Sequence, residues 1–274
     1  MTTASTEVAQ AAQAGTGARK ERRRLPVKVW CTQLVILAAF LVLWELASGP
    51  VLDPTLVSKP SDVFTRFGEW IGDGTLITNA LVSIRSAALG FVIGASVAVL
   101  LGYLVGVSKF WAAVVEPFVS AGWALPRIAL VPVLIIWVGI GAPLSVAIAA
   151  LLVFFLLFYN TYYGIREVER SLVDSVRIMG GNRWTVATRV ELPSAFVWII
   201  AGTKVSIPQA FVGVVTAEIL ASNQGLGFLL ARRAGQFDTT GAFAVLLALL
   251  VIGFTLDRLV TALSARALVW KGSK

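Results

Sequence analysis

The sequence predicts an all-α membrane protein with six transmembrane helices, and three observations carry that expectation. The 274-residue chain is 57% hydrophobic, with a mean hydropathy of +0.83. Soluble domains hold about 45–50% apolar residues, so the excess apolar surface calls for a bilayer as its solvent. Six apolar runs reach the about 20 residues that a span requires. Basic residues gather in alternate connections, the charge pattern of a multi-pass protein. Backbone groups in hydrocarbon must bond within their own segment, so each span is expected to be helical.

Residues 1–28 come first. Ala, Thr, Gln and Gly without apolar periodicity read as a disordered tail, followed by the basic run Arg19–Lys28. The first span is about Val29–Ala47. A signal peptide is the competing reading, but its apolar core of about 7–15 residues is shorter than this run, which also ends on bulky LVLWEL rather than a small-residue cleavage site. The second span is about Thr78–Val107. The third, about Ala113–Gly139, is interrupted by LPRIALVP. The fourth, about Leu144–Tyr163, is the most uniformly apolar. The fifth, about Ser194–Leu220, carries Lys204, Pro208 and Glu218. The sixth is about Ala242–Leu263.

Arg19, Lys20, Arg22, Arg23, Arg24 and Lys28 precede the first span, which places the N-terminus in the cytoplasm. The connection after span four, with Arg166, Arg170, Arg177, Arg183 and Arg189, and the C-terminus then also lie inside. The connection Ser48–Ile77 is net acidic and lies outside. The last outer connection departs from the pattern, with Arg232 and Arg233 against Asp238. The net charge of +8 follows from these basic loops and does not require a nucleic-acid partner. The chain has no histidine and one cysteine, Cys31. That excludes histidine acid–base chemistry, a Ser-His-Asp triad, Cys/His zinc sites and any intrachain disulfide. No cofactor or metal is expected. No loop offers paired carboxylates or an activated nucleophile, so no enzymatic activity is expected either.

The connection 166–193 is the informative one. Val168, Leu172, Val173, Val176 and Met179 recur every three or four residues, marking one helix face. Gly180-Gly181 can stop that helix. Asn182 suits an N-cap, Arg183–Val190 a second short helix with Trp184 and Val190 on one side, and Pro193 a helix restart. The pattern resembles the EAA loop of the permease subunits of ATP-binding-cassette importers: E-A-A, three residues, Gly, nine residues, Ile, one residue, Leu-Pro. Here the triplet falls on Asp174, Ser175 and Val176, which keeps the acid and loses both alanines. The glycine falls on Gly180, the aliphatic on Val190, and Leu-Pro on Leu192 and Pro193. Gly181, Asn182, Arg183 and Trp184 resemble the stretch that follows in these permeases. Leu125–Gly141, Ala217–Leu230 and RALVW near Trp270 are similar to segments of the nitrate/sulfonate/taurine branch.

The resemblance implies a type I, MetI-like permease domain over 29–265, with a short cytoplasmic tail at 266–274. It implies two permease subunits, most simply a homodimer, in the inner membrane. It further implies two cytoplasmic ATPase subunits gripped through the coupling loop 166–193, and an extracytoplasmic binding protein that brings the substrate. The chain has no G-x-x-x-x-G-K-[ST] phosphate loop, which fits a borrowed energy source. The expected cargo is an aliphatic sulfonate, taurine or nitrate. A thiamine-precursor pyrimidine or riboflavin is the alternative, and a stand-alone secondary transporter the remote one.

Ionisable groups at membrane depth are expensive and mark functional positions. Arg127, after the helix-breaking Pro126, is a candidate to hold an anion in the path; a structural pair with Glu116 or Glu218 is its alternative. Glu218 and Asn223 complete the candidate path residues, Asn223 with Gly225 and Gly227 as part of an outer gate. Arg85 and Lys204 are weaker candidates that can snorkel, and Glu45 is expected to be solvated at the outer boundary. Gly90 and Gly94, in G-x-x-x-G spacing, allow close helix approach, expected within one subunit rather than at a dimer seam.

Overall fold

The computed structural model describes residues 27–51, 53, 56–124 and 126–267, without the side chains of residues 27, 123, 124, 127, 266 and 267. The expected tails, 1–28 and 266–274, lie almost wholly outside the described residues. Among the latter the regular structure is entirely helical: α1 (Val27–Ala47), α2 (Pro60–Gly72), α3 (Thr75–Gly106), α4 (Lys109–Ala124), a 3₁₀ turn (Arg127–Leu130), α5 (Val131–Val138), α6 (Ala142–Arg166), α7 (Arg170–Ile178), α8 (Arg183–Val186), a π turn (Ala187–Glu191), α9 (Leu192–Ala221), α10 (Leu226–Gly235) and α11 (Thr239–Ala267).

Five of these segments are long and apolar enough to cross a membrane: α1, α3, α6, the continuous stretch Arg183–Ala221 and α11. The expected third span is not one helix. It divides at Pro126 into α4 and the short apolar α5, because a proline disfavours the α conformation of the residue before it and supplies no N–H of its own. Two further helices lie in connections that the hydropathy ruler treats as loops. Helix α2 is amphipathic, burying Val63 and Trp70, and α10 buries Leu226, Gly227 and Leu229. Both are too short and too polar to register as spans.

Helix α6 is the axis of the molecule. Its Leu144, Ala149, Val153 and Leu157 are almost fully buried, and α3 and α9 flank it. In lipid the apolar side chains gain little from leaving one hydrocarbon for another, so close packing and polar contacts carry the association. The glycines of α3 supply the packing. A Cβ on Gly90 would lie 2.5 Å from Ala149 Cβ, one on Gly94 would strike the Ala150 carbonyl, and one on Gly102 would lie 2.9 Å from Thr161. The G-x-x-x-G pair thus seats α3 on α6 within a single subunit. We expect Gly94→Val to push these helices apart at a cost of at least about 1–3 kcal/mol. A lowered thermal midpoint of the detergent-solubilised chain checks it; an unchanged midpoint would show that the backbones are not in contact.

Helix α1 has no buried position within its apolar window and is tied down at its C-terminal end only. Trp44 packs its ring 5.4 Å from that of Phe243 on α11. Glu45, expected to be solvated, accepts hydrogen bonds at an exposed site from the Ser61 N–H (3.0 Å) and Oγ (2.8 Å) in the first turn of α2. Orphan N–H groups at a helix start attract a carboxylate, which explains the contact. Between α2 and α3, Asp73 accepts from the Thr75 N–H at 2.8 Å, and these bonds hold its carboxyl below the ordinary aspartate range.

Candidate functional site

Three places bring the sequence candidates together: the connection 166–193 at one end of the bundle, the break after α4, and a buried polar knot at the opposite end.

In the connection, α7 has no buried residue. It ends in a Schellman motif. The Gly180 N–H donates to the Arg177 carbonyl (3.0 Å) and the Gly181 N–H to the Val176 carbonyl (2.9 Å), with Gly180 in the left-handed region at φ +83°. Asn182 then caps α8, its Oδ1 accepting from the Thr185 N–H (2.9 Å) and Oγ1 (3.0 Å). From Arg183 the chain stays helical to Ala221. The expected stop at Val190 and restart at Pro193 do not occur. The π turn widens the helix just before Pro193, where the proline's missing N–H would otherwise interrupt the bonding pattern.

The apolar residues of this connection divide by function. Val186 and Val190 are buried and anchor it, while Val168, Val173 and Val176 are half-buried. Leu172, Ile178, Met179 and Trp184 point away from the protein; Ile178 and Met179 are each 86% exposed and Trp184 75%. Trp184 and Val190 therefore face opposite ways, not the same way as expected. Asp174 and Ser175 are exposed beside this tip, as are Leu192 and Pro193 at the start of α9. Between the connection and the end of α3 runs a groove of about 470 Å³, lined by Tyr103, Arg177, Arg183 and Glu191.

At the break, Pro126 is extended (φ −68°, ψ 104°) and precedes the 3₁₀ turn that starts at Arg127. The Arg127 side chain lies outside the described residues. Gly139 and Gly141, at φ +81° and +88°, carry the chain from α5 into α6, and the Gly141 N–H donates to the Ala221 carbonyl at 2.9 Å. This brings the α5–α6 turn against the α9–α10 turn, where Asn223 is exposed.

Glu218, a candidate path residue, is only 2% exposed and sits in the knot rather than on an open surface. Ser83 Oγ lies 2.9 and 2.8 Å from its two carboxyl oxygens, and the Gly227 N–H donates to Oε2 at 2.9 Å. The Leu226 N–H donates to Ser83 Oγ (2.9 Å), and the Gly225 N–H to Asn79 Oδ1 (2.9 Å). Three successive orphan N–H groups at the start of α10 thus find three different side-chain acceptors. The positive end of the α10 dipole faces the carboxyl group, which needs no basic partner. Asn79 and Ser83 stand four apart on α3 and so on one face. Sequence reasoning passed over them, although a glutamate in an apolar run signals that donors must lie nearby. Above the knot, the Arg233 guanidinium lies 4.8 Å from the Trp70 ring centre and 3.5 Å from Asp238, and Arg66 lies 5.6 Å from the same ring. Of the two arginines in this connection, Arg233 is thus a packing residue, while Arg232 is exposed.

These helices match known proteins. The family model for the binding-protein-dependent transport system inner membrane component matches residues 90–269. The putative aliphatic sulfonates transport permease protein SsuC of Bacillus subtilis is 29% identical over 245 residues, covering 89% of this chain and 89% of that protein. The riboflavin transport system permease protein RibX of Chloroflexus aurantiacus is 31% identical, covering 87% and 90%. Among solved structures, an amino acid ABC transporter crystallised with histidines superposes with a TM-score of 0.61 at 13% identity, covering 73% of this chain and 98% of that one. An inward-facing MetNI methionine ABC transporter gives 0.55 at 19% identity, covering 69% and 92%. The fold is thus that of MetI-like permeases, and a permease of this kind implies a separate ATPase and a substrate-binding protein as partners. The chain is a multi-pass, non-catalytic membrane subunit, an ABC importer permease belonging to the family of binding-protein-dependent transport system inner membrane components.

Proposed function

We propose that this chain, as a homodimer, forms the path for a small anion of the aliphatic sulfonate, taurine or nitrate class, and that its 166–193 connection seats on a cytoplasmic ATPase. The observation that carries the coupling role is the tip formed by Leu172, Ile178, Met179 and Trp184. Large apolar side chains exposed at the tip of this connection suit a groove on a partner. Asp174, Ser175, Val176, Gly180, Gly181, Arg183, Val190, Leu192 and Pro193 shape and flank that tip. The basic residues of this end support a cytoplasmic position for it and for both termini. A carboxyl-to-ring network at the other end then holds the outer face, with Asn223 at the outer gate and Glu218 as its anchor.

The anion reading draws on the SsuC relatives of Bacillus subtilis and Escherichia coli, the latter 29% identical. A heterocycle is the second reading, favoured by RibX and by the formylaminopyrimidine transport permease protein ThiX of Halalkalibacterium halodurans, which is 27% identical. A stand-alone carrier draws no support from these relatives, which are named as permease proteins of transport systems or ABC transporters. The test is copurification with an ATPase and a binding protein from the same cells, then uptake of labelled ethanesulfonate and riboflavin by the reconstituted complex. ATP-driven ethanesulfonate uptake supports the anion reading; riboflavin uptake alone supports the heterocycle. Absence of any ATPase from the purified material would overturn the coupling role.

The backbone break at Pro126 puts Arg127 at the start of a 3₁₀ turn between two short helices. Irregular backbone at membrane depth is tolerated where it borders protein or a water-filled cavity. Arg127→Ala is expected to lower ethanesulfonate uptake at least about tenfold, the loss of one charge-assisted bond. ATPase assembly, read by copurification, should be unchanged. Uptake at the wild-type rate and affinity would remove Arg127 from the path.

A further inference from the structure

Lys204 is exposed, and no hydrogen bond or ion pair to it occurs among the described residues. It lies twelve residues beyond Leu192, about 18 Å along the 30-residue α9 and close to its middle. Its depth is fixed independently by packing. Gly202, half a turn earlier, faces Leu157 and Asn160 of α6, where an added Cβ would lie 2.9–3.0 Å from their side chains. Asn160 and Leu157 are six and nine residues short of Arg166, where α6 ends. At about 1.5 Å per residue, the lysine sits more than about 10 Å inside that end. This exceeds what a lysine stem spans, so snorkelling does not carry its ammonium back to that end of the bundle.

The backbone beside it is polar as well. Pro208 lies inside α9 and has no N–H, so the Lys204 carbonyl loses the donor that an α-helix would place there. An ammonium and a freed carbonyl therefore occur at one point of the helix, at mid-depth, on a face that the chain's own helices leave open. Gln209, also exposed, follows about one and a half turns later. Hydrocarbon does not accommodate this combination; a water-lined cavity does.

We propose that Lys204 is the cation that holds the acid group of the cargo as it crosses the middle of the path. The inference rests on the reading of the chain as a permease for a small oxyanion and adds the residue that recognises it. The ammonium supplies a compact, rotatable set of three donors, suited to a passing sulfonate that must also leave. The freed carbonyl accepts a hydrogen bond from the water, or from the amino group, that accompanies it.

The lone cysteine makes a direct test simple. In a Cys31→Ser background, Lys204→Cys and, as a control at an exposed apolar position on α3, Leu89→Cys are placed in the assembled transporter and treated with a charged, membrane-impermeant methanethiosulfonate. Lys204→Cys should be labelled and Leu89→Cys should not. Uptake of ethanesulfonate should fall at least tenfold in Lys204→Met and recover substantially in Lys204→Arg, with ATPase copurification unchanged in both. An unlabelled Lys204→Cys, or wild-type uptake by Lys204→Met, overturns the assignment. So does rescue of Lys204→Glu by Glu116→Lys, which would make the lysine half of a structural pair between subunits. A wild-type complex that moves riboflavin and not ethanesulfonate overturns the cargo reading and with it the anion-holding role. The labelling arm would still decide on its own whether position 204 lies in the aqueous path.

Discussion

Gly225→Ala is expected to be the most damaging single-methyl change in this chain. Two costs fall on the same residue. Its backbone lies at φ +103°, ψ 167°, a region almost closed to residues with a Cβ, and occupying it costs about 1–3 kcal/mol. The added methyl would also fall on the Glu218 carboxyl group itself. That group cannot retreat without leaving the Gly227 N–H unpaired in a buried site, about 1–3 kcal/mol, while Ser83 Oγ–H keeps only its longer bond to the Asn79 carbonyl at 3.2 Å. The whole cap at this end of the bundle then loosens, because α10 is joined to α3 through these bonds and to α2 through the Arg233–Trp70 contact. Ser83→Ala should do less harm, removing one hydroxyl and stranding the Leu226 N–H. Gly235→Ala, at the other end of α10, meets no neighbour and should be close to neutral. Thermal scanning of the purified chain in detergent gives the order: Gly225→Ala far below Ser83→Ala, and Gly235→Ala level with wild type. A Gly225→Ala protein as stable as the parent would mean that the knot does not hold the cap.

The knot also shows what a sequence does and does not disclose about a membrane protein. Spans one, two, four and six were legible to within a few residues, because bilayer thickness imposes a length and hydrocarbon imposes a composition; the fifth ends where expected, but its helix begins at Arg183, well before the expected Ser194. The division of the third was announced by Pro126 and Pro132 but not its consequence, a 3₁₀ turn and an eight-residue helix in place of a full crossing. Helices α2 and α10 were invisible to that ruler, since they lie along the end of the bundle and bury one face only. Glu218 stood out as a cost, yet its partner Ser83 lies 135 positions earlier, and no local pattern joins them. The glycines of α3 could be read as a packing seam; that the seam faces α6 came from the three-dimensional placement. In the 166–193 connection, residue spacing located the turn, but not which apolar residues anchor it and which project. Trp184 and Val190 are six apart, a spacing too loose on a helix to fix a shared face, and the two turn out on opposite sides.

That division decides the second large effect. The double variant Ile178→Asp/Met179→Asp is expected to insert and fold as the parent does, since neither side chain packs on its own chain. It is expected to lose the ATPase. Each residue, with Trp184 beside it, presents nearly its full side chain, and burying such a group in a partner contributes about 1.5–3 kcal/mol. A buried aspartate facing an apolar groove adds a desolvation cost on top. Losing even about 3 kcal/mol weakens association more than a hundredfold, enough to clear the ATPase from a copurified sample. Trp184→Ala alone should give an intermediate loss. The two adjacent glycines supply an internal comparison. A Cβ on Gly180 meets nothing, so Gly180→Asp keeps its place at the cost of a strained turn. A Cβ on Gly181 would lie 2.6 Å from Val176 Cγ1 and 2.7 Å from its carbonyl oxygen, so Gly181→Val must unseat α7 from α8. Gly181→Val should therefore uncouple ATP hydrolysis from uptake more completely than Gly180→Asp, with both proteins still present in the membrane. Copurification at wild-type yield from Ile178→Asp/Met179→Asp would mean that the ATPase grips some other part of this chain.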